Sequence, residues 1–336
     1  MHRSSIVIVS PALAAANNGN WQTARRWHAL LSGRHDVRIA IQWPDTRAQA
    51  RPDRDEVLLA LHARRSAASI EAWARGRGGR GLGVVLTGTD LYQDLPANAQ
   101  ARASVEAAGA LVVLQPLGIE ALPAPVRGKA RVIYQSTSAW QTVAKGPRQL
   151  KAVMVGHLRE VKSPQTLFDA AIELAGRLDI RIDHIGAAAE PHWEARARAT
   201  EAATPGYRWL GPLPHAQARR AIQRAHVLVH TSALEGGAHV IMEALRSGTP
   251  VLASRVDGNV GMLGPDYAGY FPHGDAAALA ELLADCRAGQ IAPPQDPQGS
   301  LLERLWRQCE LRAPLFSLEA EQAALLRLID DLQDLP

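Results

Sequence analysis

Two carboxylates eight positions apart, Glu235 and Glu243, are the side chains of this chain best placed to do chemistry. The apolar residues 227–229 ahead of them predict a short buried parallel strand. Residues 238–246 predict a helix, which Ser-Gly-Thr-Pro at 247–250 would end. One carboxylate is therefore expected in a strand-to-helix loop, and the other about two turns along the helix. Such a pair can hold the hydroxyls of one polar ligand, a sugar on one side and a ribose on the other, although Glu235 alone could cap the helix and Glu243 alone could face solvent.

Two cations, Arg159 and Lys162, follow another predicted strand, at residues 152–155, with Gly156 at its end. At this spacing both can point at a diphosphate from the start of the next helix. A nucleotide that leaves as a diphosphate accumulates negative charge, which two cations and a helix N-terminus would stabilise without a metal. The alternative is an exposed basic turn.

A polar loop containing Gly19 follows the first predicted strand and opens a helix. Glycine lets backbone amides approach a phosphate or a sugar closely, and the surrounding amides suit hydrogen bonding to a polar ligand. Turn and cap chemistry would explain the same residues. The candidate acceptor-side residues here are Asn18, Asn20, Gln22, Arg25 and Arg26.

The segment Leu-Thr-Gly-Thr-Asp-Leu-Tyr at 86–92 ends another predicted strand and supplies two further acceptor-side candidates, Thr87 and Asp90. Asp90 could take part in proton transfer or could cap a helix.

Short apolar runs alternate with helical patterns along both halves, which predicts right-handed βαβ units and parallel sheets. Strands are predicted at 6–9, 37–41, 57–60, 83–86, 111–114 and 131–134, and again at 152–155, 181–185, 207–210, 227–230, 251–254 and 270–271. The fold class is therefore α/β, with two doubly wound domains facing across a cleft. We expect an N-terminal domain at 1–145, a C-terminal domain at 150–311, and a terminal helix at 312–336. Residues 288–300, rich in Pro, Gln and Gly, predict a surface loop.

The second half resembles the nucleotide-sugar glycosyltransferases of the GT-B fold, in particular their large retaining family. That family has a Glu, seven residues and a second Glu, and this chain shows Ser232, Glu235-Gly236, Glu243-Ala244, Gly248 and Pro250-Val251. It departs from the usual Pro-Phe-Gly after the first Glu, where it has Gly236-Gly237-Ala238.

The resemblance implies two Rossmann-like domains, with the last helix crossing back onto the N-terminal one. It also implies that Arg159, Lys162 and Glu235 are catalytic, and that no metal or cofactor is needed because the UDP-sugar is a co-substrate. The implied donor-binding residues are Gly19, Gly156, Arg208, Leu210, Gly236, Gly237, Ala238 and Glu243.

The N-terminal segments 18–24 and 86–92 are similar to those of a bacterial subgroup, the selenosugar synthases of selenoneine biosynthesis. This resemblance implies transfer of N-acetylglucosamine from UDP to the selenium of selenophosphate, followed by loss of phosphate. Related transferases often have a His where this chain has Thr87. Selenophosphate is already an anionic nucleophile and needs no strong base, but it does need an anion cradle, for which Gly19 and either Arg25 or Arg26 are candidates.

Composition limits the partners. At 336 residues with a net charge of +4 and 5% aromatic residues, the chain offers weak support for a nucleic-acid surface. It contains no long apolar run, so no membrane segment is expected and the cytoplasm is the expected compartment. Cys286 and Cys309 lack metal-site spacing. The oligomeric state cannot be derived from the sequence.

Three alternatives stay open at this point. A generic UDP-sugar transferase acting on a glycan, lipid-linked or small-molecule hydroxyl would use the same donor residues. A silent nucleotide-sugar-binding protein would have no need of the two cations at Arg159 and Lys162. An epimerase of the same fold would need acidic and His residues around the anomeric carbon that the sequence does not indicate.

Overall fold

The computed structural model describes residues 3–11, 19–45, 52–291 and 299–334. The chain forms two compact units. Unit 1 contains Met1–Ser136 and Leu318–Pro336, and unit 2 contains Thr137–Ser317. Each unit is built on one six-stranded sheet, in which the strands pair in parallel.

In unit 1 the sheet order is β2-β1-β3-β4-β5-β6. Its strands are β1 Ser5–Val9, β2 Asp36–Ala40, β3 Val57–Leu61, β4 Leu82–Val85, β5 Ala110–Val113 and β6 Ala130–Val132. Its α-helices are α1 Gly19–Leu31, α2 Ala67–Arg77, α3 Leu95–Ala97, α4 Ala99–Ala107 and the C-terminal α12 Leu318–Asp334.

In unit 2 the sheet order is β12-β11-β10-β7-β8-β9. Its strands are β7 Leu150–Val155, β8 Ile180–Ile185, β9 Tyr207–Trp209, β10 Val227–His230, β11 Val251–Ser254 and β12 Tyr270–Phe271. Its α-helices are α5 Pro164–Glu173, α6 Pro191–Ala203, α7 His215–Arg224, α8 His239–Leu245, α9 Asp257–Leu263, α10 Ala276–Ile291 and α11 Leu301–Arg312.

Both faces of the unit 1 sheet are covered, as expected for parallel strands that read as unbroken apolar runs. Every residue of β3 is buried, and its side chains alternate between two cores. Leu58 belongs to the core that contains Trp73 of α2. Leu59 belongs to the core that contains Trp27 of α1 and Leu325 of α12. The sequence-predicted α/β class with two Rossmann-like sheets is confirmed.

The strand orders fix where a ligand can bind in each unit. In unit 2 the chain runs outward from β7 through β8 to β9, and then returns past β7 to β10, β11 and β12. The loops after β7 and β10 therefore leave the sheet in opposite directions at neighbouring carboxyl ends, and this is where doubly wound sheets bind ligands. In unit 1 the equivalent position lies between β1 and β3.

The C-terminal helix α12 returns to unit 1 and is anchored by a buried carboxylate. Glu321 is 1% exposed. Its oxygens accept hydrogen bonds from Arg26 Nε and Trp27 Nε1, each at 2.7 Å, and from the Ser136 amide at 2.9 Å. The predicted return of the last helix to the N-terminal half is therefore confirmed.

Two boundaries differ from those drawn on the sequence. Residues 137–145 group with unit 2, because the Trp140 amide donates to Arg246 O and Lys145 Nζ donates to Gly248 O. Of the loop predicted at 288–300, residues 288–291 belong to α10, and residues 292–298 lie outside the described residues. Within the described residues, no helix is long and apolar enough to cross a membrane.

Candidate active site

The loops after β7 and β10 bring Lys162 and Glu235 together. Lys162 lies at the end of a short 3-10 helix, Glu160–Lys162, that precedes α5, and Glu235 lies between β10 and α8. Lys162 Nζ donates to Glu235 Oε1, and the same oxygen lies 3.1 Å from His230 Nε2. His230 is the last residue of β10 and is 2% exposed. Lys162 and Glu235 are far apart in the sequence, but they meet at the edge of the sheet where doubly wound folds bind ligands.

Two partners keep Glu235 ionised. Burial alone would raise the pKa of its carboxyl group, but the charge of Lys162 and the hydrogen bond from His230 hold the pKa well below its usual range. Glu235 is therefore a carboxylate at neutral pH and can accept hydrogen bonds only.

Arg159 and Gly156 lie in the same loop. Arg159 is exposed, and its side chain contacts no polar partner in the described part of the chain. The position that a Cβ would take on Gly156 lies 4.0 Å from Lys162 Cγ and Cδ, so Gly156 leaves room for the lysine stem. Arg159 and Lys162 thus leave the same strand end. Lys162 is paired with Glu235, and Arg159 faces solvent.

Glu243 lies on α8 and is 6% exposed. Its Oε1 lies 2.5 Å from Nε2 of His215, the first residue of α7. The hydrogen bond to Glu243 raises the pKa of His215, against burial and the charge of Arg219, which lower it. Sequence reasoning missed His215, because 28 positions separate it from Glu243 and only the packing of α7 on α8 joins them.

The Glu235 loop rests on α9, and a glycine allows the contact. A Cβ at Gly258 would lie 2.0 Å from Glu235 O and 2.7 Å from Glu235 Cβ, so only glycine fits here. Ser254 Oγ donates to Ser232 O at 2.6 Å, and Asn259 Nδ2 donates to Ser254 O at 2.9 Å. The loop after β11 and the start of α9 therefore pack directly against the Glu235 loop.

The remaining donor-side candidates lie in two places, the turn before α8 and the strand β9 with the residue that follows it. Gly236, Gly237 and Ala238 form the turn into α8, where the Ala238 amide contacts Met262 Sδ at 3.1 Å. Arg208 lies within β9, and its guanidinium pairs with Asp183 of β8 at 2.9 Å. Leu210 follows β9 with 36% of its surface exposed.

The acceptor-side candidates from the Gly19 loop lie in unit 1, in the first two turns of α1. Gly19 is the first residue of this helix, Asn20 is buried and Gln22 is partly buried, whereas Asn18 lies outside the described residues. Arg25 is exposed. Arg26 is held by Glu321 in the anchor of α12, so of the two arginines only Arg25 projects into solvent.

Thr87 and Asp90 form an enclosed clamp after β4. Asp90 is 0% exposed and accepts from the Thr87 amide at 2.6 Å, from Thr87 Oγ1 at 2.8 Å and from the Ala63 amide at 3.1 Å. Burial raises the pKa of Asp90 to about 6. These bonds give Asp90 a structural task, which is to tie the loop after β4 to the loop after β3.

A buried histidine stands beside this clamp and was not among the sequence candidates. His62 follows β3 with a positive φ of 76°, and its Nδ1 lies 3.9 Å from Asp90 Oδ2. Burial lowers the pKa of His62 to about 4, so the ring is neutral at physiological pH. Its position immediately after a buried strand was the available signal, because parallel strands present functional residues at their carboxyl ends.

Comparison with known proteins gives one family match and several structural neighbours. Residues 138–292 match the family described as Glycosyl transferases group 1. Sucrose-phosphate synthase from Thermosynechococcus elongatus is 19% identical, with 98% of this chain and 99% of that chain aligned at a TM-score of 0.73. Anabaena HepE, solved with UDP and glucose, is 15% identical over 98% of this chain and 100% of its own, at a TM-score of 0.66.

The pneumococcal O-GlcNAc transferase GtfA, solved with UDP and GlcNAc, is 17% identical over 83% of this chain and 57% of its own, at a TM-score of 0.63. At these identities the neighbours establish the fold. The chain thus has the two-sheet α/β fold of GT-B glycosyltransferases, and residues 138–292, which carry Lys162, Glu235 and Glu243, match the group 1 glycosyl transferase family.

Proposed function

We propose that this chain is a glycosyltransferase that uses a UDP-sugar and needs no metal. The observation that carries the proposal is the contact of Lys162 and His230 with one oxygen of Glu235, at the carboxyl ends of β7 and β10. This cluster lies in the part of the chain that matches the transferase family. Two structural neighbours were solved with UDP, which supports a UDP-sugar as the donor.

The proposed roles follow from charge and position. Glu235 accepts hydrogen bonds from hydroxyls of the donor sugar, and Glu243 accepts them from the ribose. Lys162 and Arg159 stabilise the diphosphate as the bond from the anomeric carbon to the UDP oxygen breaks. Charge that develops on a leaving group is where fixed cations lower the barrier most. Gly156 and the turn at 236–238 let the backbone approach the donor closely.

For the acceptor we propose selenophosphate, and for the sugar N-acetylglucosamine. In this reaction the selenium of selenophosphate forms a bond to the anomeric carbon as the bond from that carbon to the UDP oxygen breaks. Water then adds to the phosphorus, the Se–P bond breaks, and phosphate leaves while the selenium keeps a proton as the selenol. The proposal rests on the resemblance of segments 18–24 and 86–92 to selenosugar synthases. The enclosure of Asp90 supports it, because a carboxylate with no exposed surface and three hydrogen bonds from the protein cannot reach the hydroxyl of an alcohol acceptor, whereas an anionic selenium nucleophile needs no base. Arg25, an exposed cation in the second turn of α1, is the proposed group that attracts this anion.

The test is UDP release from UDP-N-acetylglucosamine by the purified protein, with selenophosphate, thiophosphate, phosphate or no acceptor, and with mass spectrometry of the product. Release that depends on selenophosphate and gives a selenium-containing sugar would establish both donor and acceptor. Donor binding without release in any of these mixtures would refute selenophosphate and favour a hydroxyl acceptor. Absence of donor binding would refute the transferase proposal itself.

A further inference from the structure

His230 is the fixed partner of the Glu235 carboxylate. It ends β10, the strand paired on one side with β7 and on the other with β11, where His230 lies in register with Ala253. Its side chain is 2% exposed, and its Nε2 lies 3.1 Å from Glu235 Oε1. A buried ring at the end of a central strand has little freedom to leave this position.

Lys162 contacts the same oxygen but is held less firmly. Its side chain is 20% exposed and reaches Glu235 along a flexible four-carbon stem. In the proposed reaction Lys162 also serves the diphosphate, and a lysine that turns toward a diphosphate gives up part of its contact with Glu235. Of the two groups on Oε1, only His230 can then keep the carboxylate in place.

The geometry also separates the two oxygens of Glu235. Both contacts fall on Oε1, and Oε2 accepts no hydrogen bond from the described part of the chain. The Nε2–H of His230 donates to Oε1, because an ionised carboxylate can only accept. Oε2 is therefore the oxygen left for a ligand hydroxyl.

We propose that His230 is a positioning residue, which fixes the rotation of the Glu235 carboxylate so that Oε2 faces a hydroxyl of the donor sugar. The inference rests on the proposed function and adds to it a determinant of sugar recognition. His230 itself touches no substrate in this account. Its effect should therefore be confined to the sugar half of the donor and should leave the UDP half unchanged.

The test compares His230→Leu, which removes the donor N–H, with His230→Gln, whose Nε2 can replace it. We expect His230→Leu to weaken the binding of UDP-N-acetylglucosamine by about 10-fold in calorimetry, as loss of a hydrogen bond to a charged group does, with UDP affinity within about 3-fold of wild type. His230→Gln should recover most of the sugar-dependent affinity. The same ranking is expected in kcat/KM.

Donors that lack one sugar hydroxyl, the 3-deoxy and 4-deoxy analogues, make the test specific. If His230 acts through Glu235, the penalty of His230→Leu should fall to about 2-fold with the analogue that lacks the hydroxyl held by Oε2, because coupled groups are not additive. An equal penalty with all donors, a parallel loss of UDP affinity, or a failure of His230→Gln to recover binding would overturn the inference. A wild-type protein that binds neither UDP nor the UDP-sugar would instead refute the proposed function.

Discussion

At the scale of single residues, the two signature carboxylates differ in what holds them. Glu235 accepts hydrogen bonds from His230, at the buried end of β10, and from Lys162, in the loop after β7. Glu243 is covered from outside by His215, whose side chain is 75% exposed. The carboxylate of Glu235 is therefore already oriented for a ligand. A ligand that binds Glu243 must first displace His215 from it. Glu235 is therefore tested by substitution, and the pair of Glu243 and His215 by the pH dependence of binding.

Replacement of Glu235 tests the preset carboxylate. We expect Glu235→Gln to lower kcat/KM by about 10- to 100-fold, because charge-assisted hydrogen bonds to Lys162, His230 and the sugar are weakened together. UDP affinity should stay near that of the wild type. Steady-state kinetics and UDP calorimetry measure the two effects, with the exposed Glu173→Gln as the matched control. Equal losses in turnover and in UDP affinity would argue against a sugar-side role.

The pair of His215 and Glu243 predicts that UDP binding depends on pH. If the ribose takes the place of His215 on Glu243, the raised pKa of His215 returns toward its ordinary value of 6.5 in the complex. Binding then releases a proton, so UDP affinity should rise as the pH increases from about 6.5 through the raised pKa of the free protein. Calorimetry in two buffers with different ionisation enthalpies counts the released protons.

The control for this prediction is His215→Gln, which keeps a hydrogen-bond donor but cannot titrate. The pH dependence of UDP affinity that remains in this variant comes from the phosphate groups of UDP, which ionise near pH 6. Arg219 and Arg246, the arginines near Glu243, stay charged over this range and add nothing to it. A variant with the same proton release as the wild type would show that His215 does not leave Glu243 when UDP binds.

At the scale of elements, the strands were the predictable part. All twelve predicted strands are present within two residues of their expected bounds, because fully buried parallel strands read as unbroken apolar runs. The helix that carries Glu243 was also predictable, since Ser247, Gly248 and Pro250 mark its end. At the site, the loop position of Glu235 and the place of Lys162 after β7 followed from the same patterns.

The contacts that orient the site residues were not predictable. His215 reaches Glu243 only because α7 packs on α8. Arg26 pairs with the buried carboxylate of Glu321, 295 positions away, and so does not project into solvent. Neither local propensity nor periodicity reports such pairings, which depend on how elements pack. His62 was missed although its place after β3 was a usable signal, because neither its positive φ nor its proximity to Asp90 leaves a pattern in the sequence.

The support of the Glu235 loop by α9 can be tested with a single methyl group. Gly258→Ala would place a Cβ 2.0 Å from Glu235 O, so the loop must move away from α9. We expect a loss of about 1–3 kcal/mol in the free energy of unfolding, as overpacking usually costs. Sugar-dependent donor affinity should fall as well, because Glu235 moves with its backbone. Gly176→Ala, which meets nothing within 4 Å, should change neither denaturant unfolding nor donor calorimetry.

At the scale of the whole molecule, the chain closes unit 1 with its last helix. The sheet of this unit is complete at β6, yet one of its cores includes Leu325, Leu328, Ile329 and Leu332 of α12. α1 covers part of this face of the sheet, and α12, which follows all of unit 2 in the sequence, completes the cover. Stability of unit 1 consequently depends on a contact between residues about 300 positions apart.

Glu321 is the polar centre of that contact, and its removal should loosen unit 1 without disturbing the donor residues. Glu321→Ala leaves the half-buried guanidinium of Arg26 and the indole N–H of Trp27 without their acceptor. We expect a loss of about 3–5 kcal/mol in unfolding free energy, the usual cost of breaking a buried ion pair. Faster hydrogen exchange should appear in α1 and α12, and Glu319→Ala, at an exposed position of the same helix, should change neither quantity.

UDP affinity should persist in the folded Glu321→Ala variant, because Lys162, Glu235 and Glu243 all belong to unit 2. Uniform destabilisation of both units, seen as equally faster exchange in β7 and β10, would mean that Glu321 supports more than the closure of unit 1.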